Sequence, residues 1–163
     1  MDVQHTRSEF KYAKHRAEAV VTLVTNENIR GWFFTAAESA RRDGAERIGD
    51  LLNSETGFFP FEVELDGTRA TVLYNRVHVI AVRVLDDEAR RDPGYTVATR
   101  RVLSILLSNS QRVDGEVRVY RPEGRDRLSD WTRQPEVFRY VEAEDGTYIV
   151  NAAHIVAITE VSS

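Results

Sequence analysis

Four histidines, His5, His15, His78 and His154, are the side chains best suited to proton transfer or metal ligation in a chain that has no cysteine. No two of them stand at a His-x-His or His-x-x-x-His spacing, and no paired carboxylates complete a site beside them. The expectation is no metal and no cofactor. His78 and His154 form a matched pair instead, each opening an apolar strand three residues after an asparagine, Asn75 or Asn151. One reading keeps them structural, with Asn in a positive-φ turn and His bonded to the turn backbone. The other presents the Asn and His edges to a base, a peptide carbonyl or another ligand.

Nucleophilic and hydride chemistries lack a constellation. Gly44 to Gly49 has the glycine spacing of a phosphate loop but is not followed by the Lys-Ser/Thr that would meet the phosphates. There is no Gly-x-Ser-x-Gly elbow, zincin helix or dinucleotide fingerprint, so the chain is expected not to be an enzyme. Arg47-Asp50 and Arg127-Asp130 recur at helical i, i+3 spacing and are expected to be surface ion pairs.

Binding is the function class that remains. Trp32-Phe33-Phe34 and Phe58-Phe59-Pro60-Phe61 put aromatic side chains on both faces of their strands, while a half-solvated sheet buries only one. Trp32, Phe34, Phe59 and Phe61 are therefore expected to cover a seam or to contact a partner protein or a further copy of the chain. The alternative is an RNA-binding surface at Asn75–His78 and Asn151–His154, helped by Arg76, Arg112 and neighbouring arginines.

Composition bounds these readings. With 163 residues, 42% hydrophobic and 29% charged, the chain is one globular domain or two very small ones, not a disordered or collagen-like one. No apolar run is long enough to cross a membrane and no leader is evident, so a cytoplasmic protein without membrane contact is expected. The net charge is −4 and acids are interspersed with the arginines, which gives a mixed surface without a basic face.

The elements that must position these residues come twice. Residues 25–33 answer to 109–117, Arg47–Leu51 to Arg127–Trp131, Asp66-Gly67-Thr68 to Asp145-Gly146-Thr147, and Asn75–Val82 to Asn151–Ile158, in the same order. Each copy reads as β-rich. Period-two alternation marks strands at Val21–Thr25, Ile29–Thr35, Phe59–Leu65, Arg69–Tyr74 and His78–Val84, with matching stretches from Ile105 to Glu160. Ile48, Leu51 and Leu52, and again Leu128 and Trp131, form short helical stripes. A further helix is expected over Glu9–Ala19 behind a Ser8 cap. Residues 1–19 then form a tail and helix, 20–85 the first repeat, 86–101 a polar linker broken by Pro93-Gly94, and 102–163 the second repeat.

Gly31 and Gly115 inside the second strands mark bends. Together with Asn75-Arg76-Val77-His78 and Asn151-Ala152-Ala153-His154 before the last strands, they resemble the Sm/LSm/Hfq superfamily, closest to bacterial Sm-like domains. The family's usual Arg-Gly or Lys-His pair is missing from both turns. The resemblance implies a mainly β fold with short helices: two tandem, strongly bent five-stranded barrels from an internal duplication, preceded by the N-terminal helix. It also implies that the last strand of one copy pairs with the penultimate strand of the other, leaving outer edges for further chains.

Overall fold

The computed structural model describes residues 14–37 and 44–161. It is mainly β, with ten strands in one antiparallel sheet and two short helices. The elements are β1 (Lys14–Leu23), β2 (Asn28–Ala36), α1 (Ile48–Ser54), β3 (Phe58–Leu65), β4 (Thr68–Asn75) and β5 (Val79–Val84). They are followed by β6 (Thr99–Leu107), β7 (Arg112–Val119), α2 (Leu128–Thr132), β8 (Phe138–Ala143), β9 (Gly146–Asn151) and β10 (Ile155–Glu160). Three-residue 3-10 turns, Arg76–His78 and Ala152–His154, lead into β5 and β10.

The sheet order is β10-β6-β7-β8-β9-β5-β1-β2-β3-β4. Within each half the order is the same: last strand, then first to fourth. The halves meet where β5 pairs with β9, with Val82 opposite Ile149 and Val84 opposite Thr147. β4 pairs only with β3 and β10 only with β6 among the described residues, so these two strands are the free edges.

Local chemistry explains the bends. β2 pairs with β3 at Trp32–Glu62 and Phe33–Phe61, and β7 with β8 at Gly115–Ala143 and Glu116–Glu142, over two residues each. At these crossings a Cβ on Gly31 would overlap the Glu62 carbonyl oxygen, and one on Gly115 the Glu142 carbonyl oxygen. Only glycine lets the strands approach this closely.

One expected helix is replaced by strand. Lys14–Ala19 belong to β1, where Arg16 lies opposite Phe34 and Ala19 opposite Gly31. The ladder to β2 and the inward face of Ala19, Val21 and Leu23 outweigh the helical propensity of the alanines. The remainder of the expected helix, with Ser8 and His5, lies outside the described residues. The first half thus begins before residue 20. The linker also differs from a solvated spacer, because Glu88 and Ala89 in its 3-10 turn Glu88–Arg91 are buried.

Two apolar cores flank the seam and exchange side chains across it. Phe138 and Ile149 of the second half pack with Phe33, Phe59, Phe61 and Leu52 of the first. Ile80 and Ala81 of the first half pack with Leu103, Ile105 and Trp131 of the second. Burying such side chains contributes roughly 1.5–3 kcal/mol each, so the joint is part of the core. No helix of the described residues is long and apolar enough to cross a membrane.

Candidate assembly interface

The asparagine and histidine that end β9 and precede β10 sit on the seam. Asn151 is buried, and its Nδ2 donates to the carbonyls of Val79 at 2.9 Å and Arg76 at 3.3 Å, both in the other half. Its Oδ1 accepts the Ala153 N–H at 3.0 Å. This is the Asx-type closure that makes the 3-10 turn. His154 reaches across as well, with Nε2 2.8 Å from the Val77 carbonyl and Nδ1 2.9 Å from Ser108 Oγ. A carbonyl only accepts, so Nε2 carries a proton toward Val77.

Asn75 closes its own turn in the same way, accepting the Val77 N–H at 3.1 Å. Both asparagines are extended, at φ −83° and −82°, and not in the expected positive-φ conformation. The side chain does the turning, so the backbone need not. Positive φ falls instead at Asn26 and Ser110, in the tight turns after β1 and β6.

Arg76 is buried and spent. Its guanidinium donates to the carbonyls of Leu51, Leu52 and Phe58 at 3.1, 3.0 and 2.8 Å and lies over the Phe59 ring. It closes the C-terminal end of α1, where unsatisfied carbonyls carry partial negative charge. The expectation that it would face RNA is thereby corrected, since phosphate would have to displace three internal acceptors. In the second half the same task falls to Arg139, which donates to Trp131, Gln134 and Glu136 carbonyls at 2.8, 2.8 and 2.7 Å. Burial lowers the pKa of both guanidiniums from the ordinary arginine value.

The remaining predicted site residues scatter. Phe59 and Phe61 are in the core, because β3 turns 59, 61 and 63 inward, so they are unavailable to a partner. Trp32 and Phe34 are half-buried, with the Arg16 guanidinium 4.5 Å over the Trp32 ring. His78 and Arg112 are exposed, and among the described residues Arg112 reaches Ser104 Oγ at 3.4 Å.

A second joint binds the linker to both halves. The Glu88 carboxylate accepts the N–H groups of Ile48 and Gly49 at 3.1 and 3.3 Å and the Tyr140 hydroxyl at 2.7 Å. Arg47 packs beside it, donating to Asp50 at 3.1 Å, to Asp92 and to the Glu88 carbonyl. The expected surface pair Arg47–Asp50 is therefore buried, and in the other helix Asp130 accepts the backbone N–H of Arg127. Burial is the main cause that pushes the Glu88 carboxyl up, against the hydrogen bonds that pull it down. Tyr140 is pushed up by burial and then by the Glu88 charge. Arg47, Asp50, Tyr140 and Arg139 line a polar hollow of about 410 Å³, in which both guanidiniums already hold internal acceptors. Glu88 lay hidden in a polar run, and its only signal in sequence was its place between two repeats.

No group of three or more His, Cys, Asp or Glu converges on a metal-sized site among the described residues. What stands out is at the edges. Phe58, Leu73 and Val156 are 58%, 63% and 63% exposed, whereas their counterparts at the seam, Phe138, Ile149 and Ile80, are 3%, 0% and 1% exposed. Comparison of the chain with family models, with curated proteins and with solved structures finds no match.

Proposed function

We propose that the chain is a non-enzymatic assembly module of two tandem Sm-like small barrels, derived by internal duplication, whose main contact is with protein through β4 and β10. Another copy of the chain is the partner that fits both edges. The observation that carries this reading is that Phe58, Leu73 and Val156 lie open where the corresponding residues of the β5–β9 seam are fully covered. An unpaired edge flanked by apolar side chains invites another strand. β10 stands in its half as β5 does, and β4 as β9 does, so the edges are complementary to each other and not to themselves. A contact of this kind is heterologous, and it closes into a ring or continues as a filament.

The register follows from the seam. Val82 pairs with Ile149, and their counterparts are Ile158 and Leu73. The chain has no cysteine, so a Leu73→Cys, Ile158→Cys double variant carries only the engineered thiols. Directly opposed strand residues fall within disulfide range. Mild oxidation of this variant is expected to give a ladder of covalent oligomers, while each single variant stops at dimer or below. A double variant that stays monomeric on oxidation overturns the proposed pairing.

A further inference from the structure

The seam is held by more than a ladder. Asn151 and His154 read three backbone carbonyls of the Arg76–His78 turn and the first residue of β5, namely those of Arg76, Val77 and Val79. No side chain of that turn takes part in these bonds. What is recognised is a 3-10 turn running into an edge strand.

Asn75 and His78 hold the same positions in the first half, on nearly the same backbone. Their polar groups are differently employed. Asn75 uses Oδ1 on its own turn, but Nδ2 has no hydrogen-bond partner among the described residues, and the exposed His78 ring has none. Val24 stands where Ser108 stands beside His154, as the matching bonds Val24 N–H to His78 carbonyl and Ser108 N–H to His154 carbonyl show. Both side chains lie at the end of the free β4 edge.

The carbonyls they would meet are at the other end of the molecule. Ala152, Ala153 and Ile155 occupy the places of Arg76, Val77 and Val79, and their turn has the same shape, with the Ile155 N–H on the Ala152 carbonyl as the Val79 N–H is on Arg76. We infer that Asn75 and His78 are a self-recognition clamp, donating from Asn75 Nδ2 to the Ala152 and Ile155 carbonyls and from His78 Nε2 to the Ala153 carbonyl of a second copy. This inference rests on the assembly reading above. It adds the residues that choose the partner.

A bare strand edge is promiscuous, and a slip of one residue would turn every side chain to the wrong face. The clamp removes both errors, since only an edge entered through a 3-10 turn offers carbonyls at these places, and only one register brings them within reach. The second copy satisfies these conditions at β10.

The test compares self-association of the purified full chain with that of Asn75→Asp, His78→Ala and Leu73→Lys by sedimentation velocity and light scattering, with circular dichroism to verify the fold. Asn75→Asp keeps the oxygen that closes the turn and replaces the Nδ2 donor by a charged carboxylate oxygen that can only accept. Each clamp variant is expected to weaken association at least about tenfold, equivalent to about 1.4 kcal/mol, with an unchanged far-ultraviolet spectrum and melting midpoint. If Leu73→Lys dissociates the chains while Asn75→Asp and His78→Ala associate like the wild type, the clamp is overturned and the edge contact stands. If the wild type is monomeric across micromolar concentrations, the assembly reading falls and the clamp falls with it.

Discussion

Asn53 and Phe138 are joined by two hydrogen bonds, from Asn53 Nδ2 to the Phe138 carbonyl at 2.8 Å and from the Phe138 N–H to Asn53 Oδ1 at 2.9 Å. A side chain on α1 of the first half thus takes the place of a strand neighbour for the first residue of β8 in the second. This amide pairing, the β5–β9 ladder and the Glu88 bridge make the seam one cooperative structure.

Asn53→Ala leaves both backbone groups of Phe138 without their partner. Destabilisation of about 1–3 kcal/mol is expected. Urea denaturation should show a lower midpoint at unchanged slope, because the halves unfold together. Two separate transitions in the wild type would contradict this.

Replacing Arg76 or Arg139 by Lys keeps the charge but offers a single ammonium to three carbonyls held in a planar fork. A loss of about 2 kcal/mol or more is expected for each, read from thermal or urea melts. Stability equal to the wild type would remove the helix-closing role.

Glu88 gives the fold a pH dependence of known sign. Burial raises its folded carboxyl from the ordinary value, so in the pH window between the unfolded and folded values the folded state holds a proton that the unfolded state releases. Its contribution to stability is full below the ordinary carboxylate pKa and is lost as pH rises through the raised one. Glu88→Gln should flatten this part of the curve of stability against pH, measured by urea melts at a series of pH values. An unchanged slope would exclude Glu88 as the source.

Gly31→Ala and Gly115→Ala test the crossing of the second and third strands of each half. A methyl at either place meets a backbone carbonyl, which has no flexible end to move aside. Each is expected to cost about 3 kcal/mol, at the high end for overpacking, and to lower the melting temperature by several degrees. A neutral effect would mean that the strands separate easily at these points.

Much of the sheet was legible because alternation writes itself into residues such as Val21 and Leu23, or Ile105 and Leu107, and the stripe Ile48, Leu51, Leu52 writes a short helix. The start of β1 was not, since Ala17 and Ala19 are small enough for a helix and only the long-range ladder to β2 decides. The pair Asn75/His78 and Asn151/His154 could be singled out from their spacing. Their acceptors could not, because carbonyls on the far side of a seam leave no trace in sequence. For Phe59 and Phe61 the seam and the partner contact both stayed open for a related reason: aromatic runs do not say which face of the strand turns inward.

Arg76 and Arg139 close equivalent helix ends from inequivalent addresses, one in the turn after β4 and the other within β8. Ala152 stands where Arg76 would be, and Phe59 where Arg139 would be. Copying β3 over β8 would therefore leave α2 without the guanidinium that closes it, and the reverse exchange would crowd two into one space. Exchanging these strands between the halves is expected to destabilise the fold even where their backbones coincide, because each helix end depends on its own compensation.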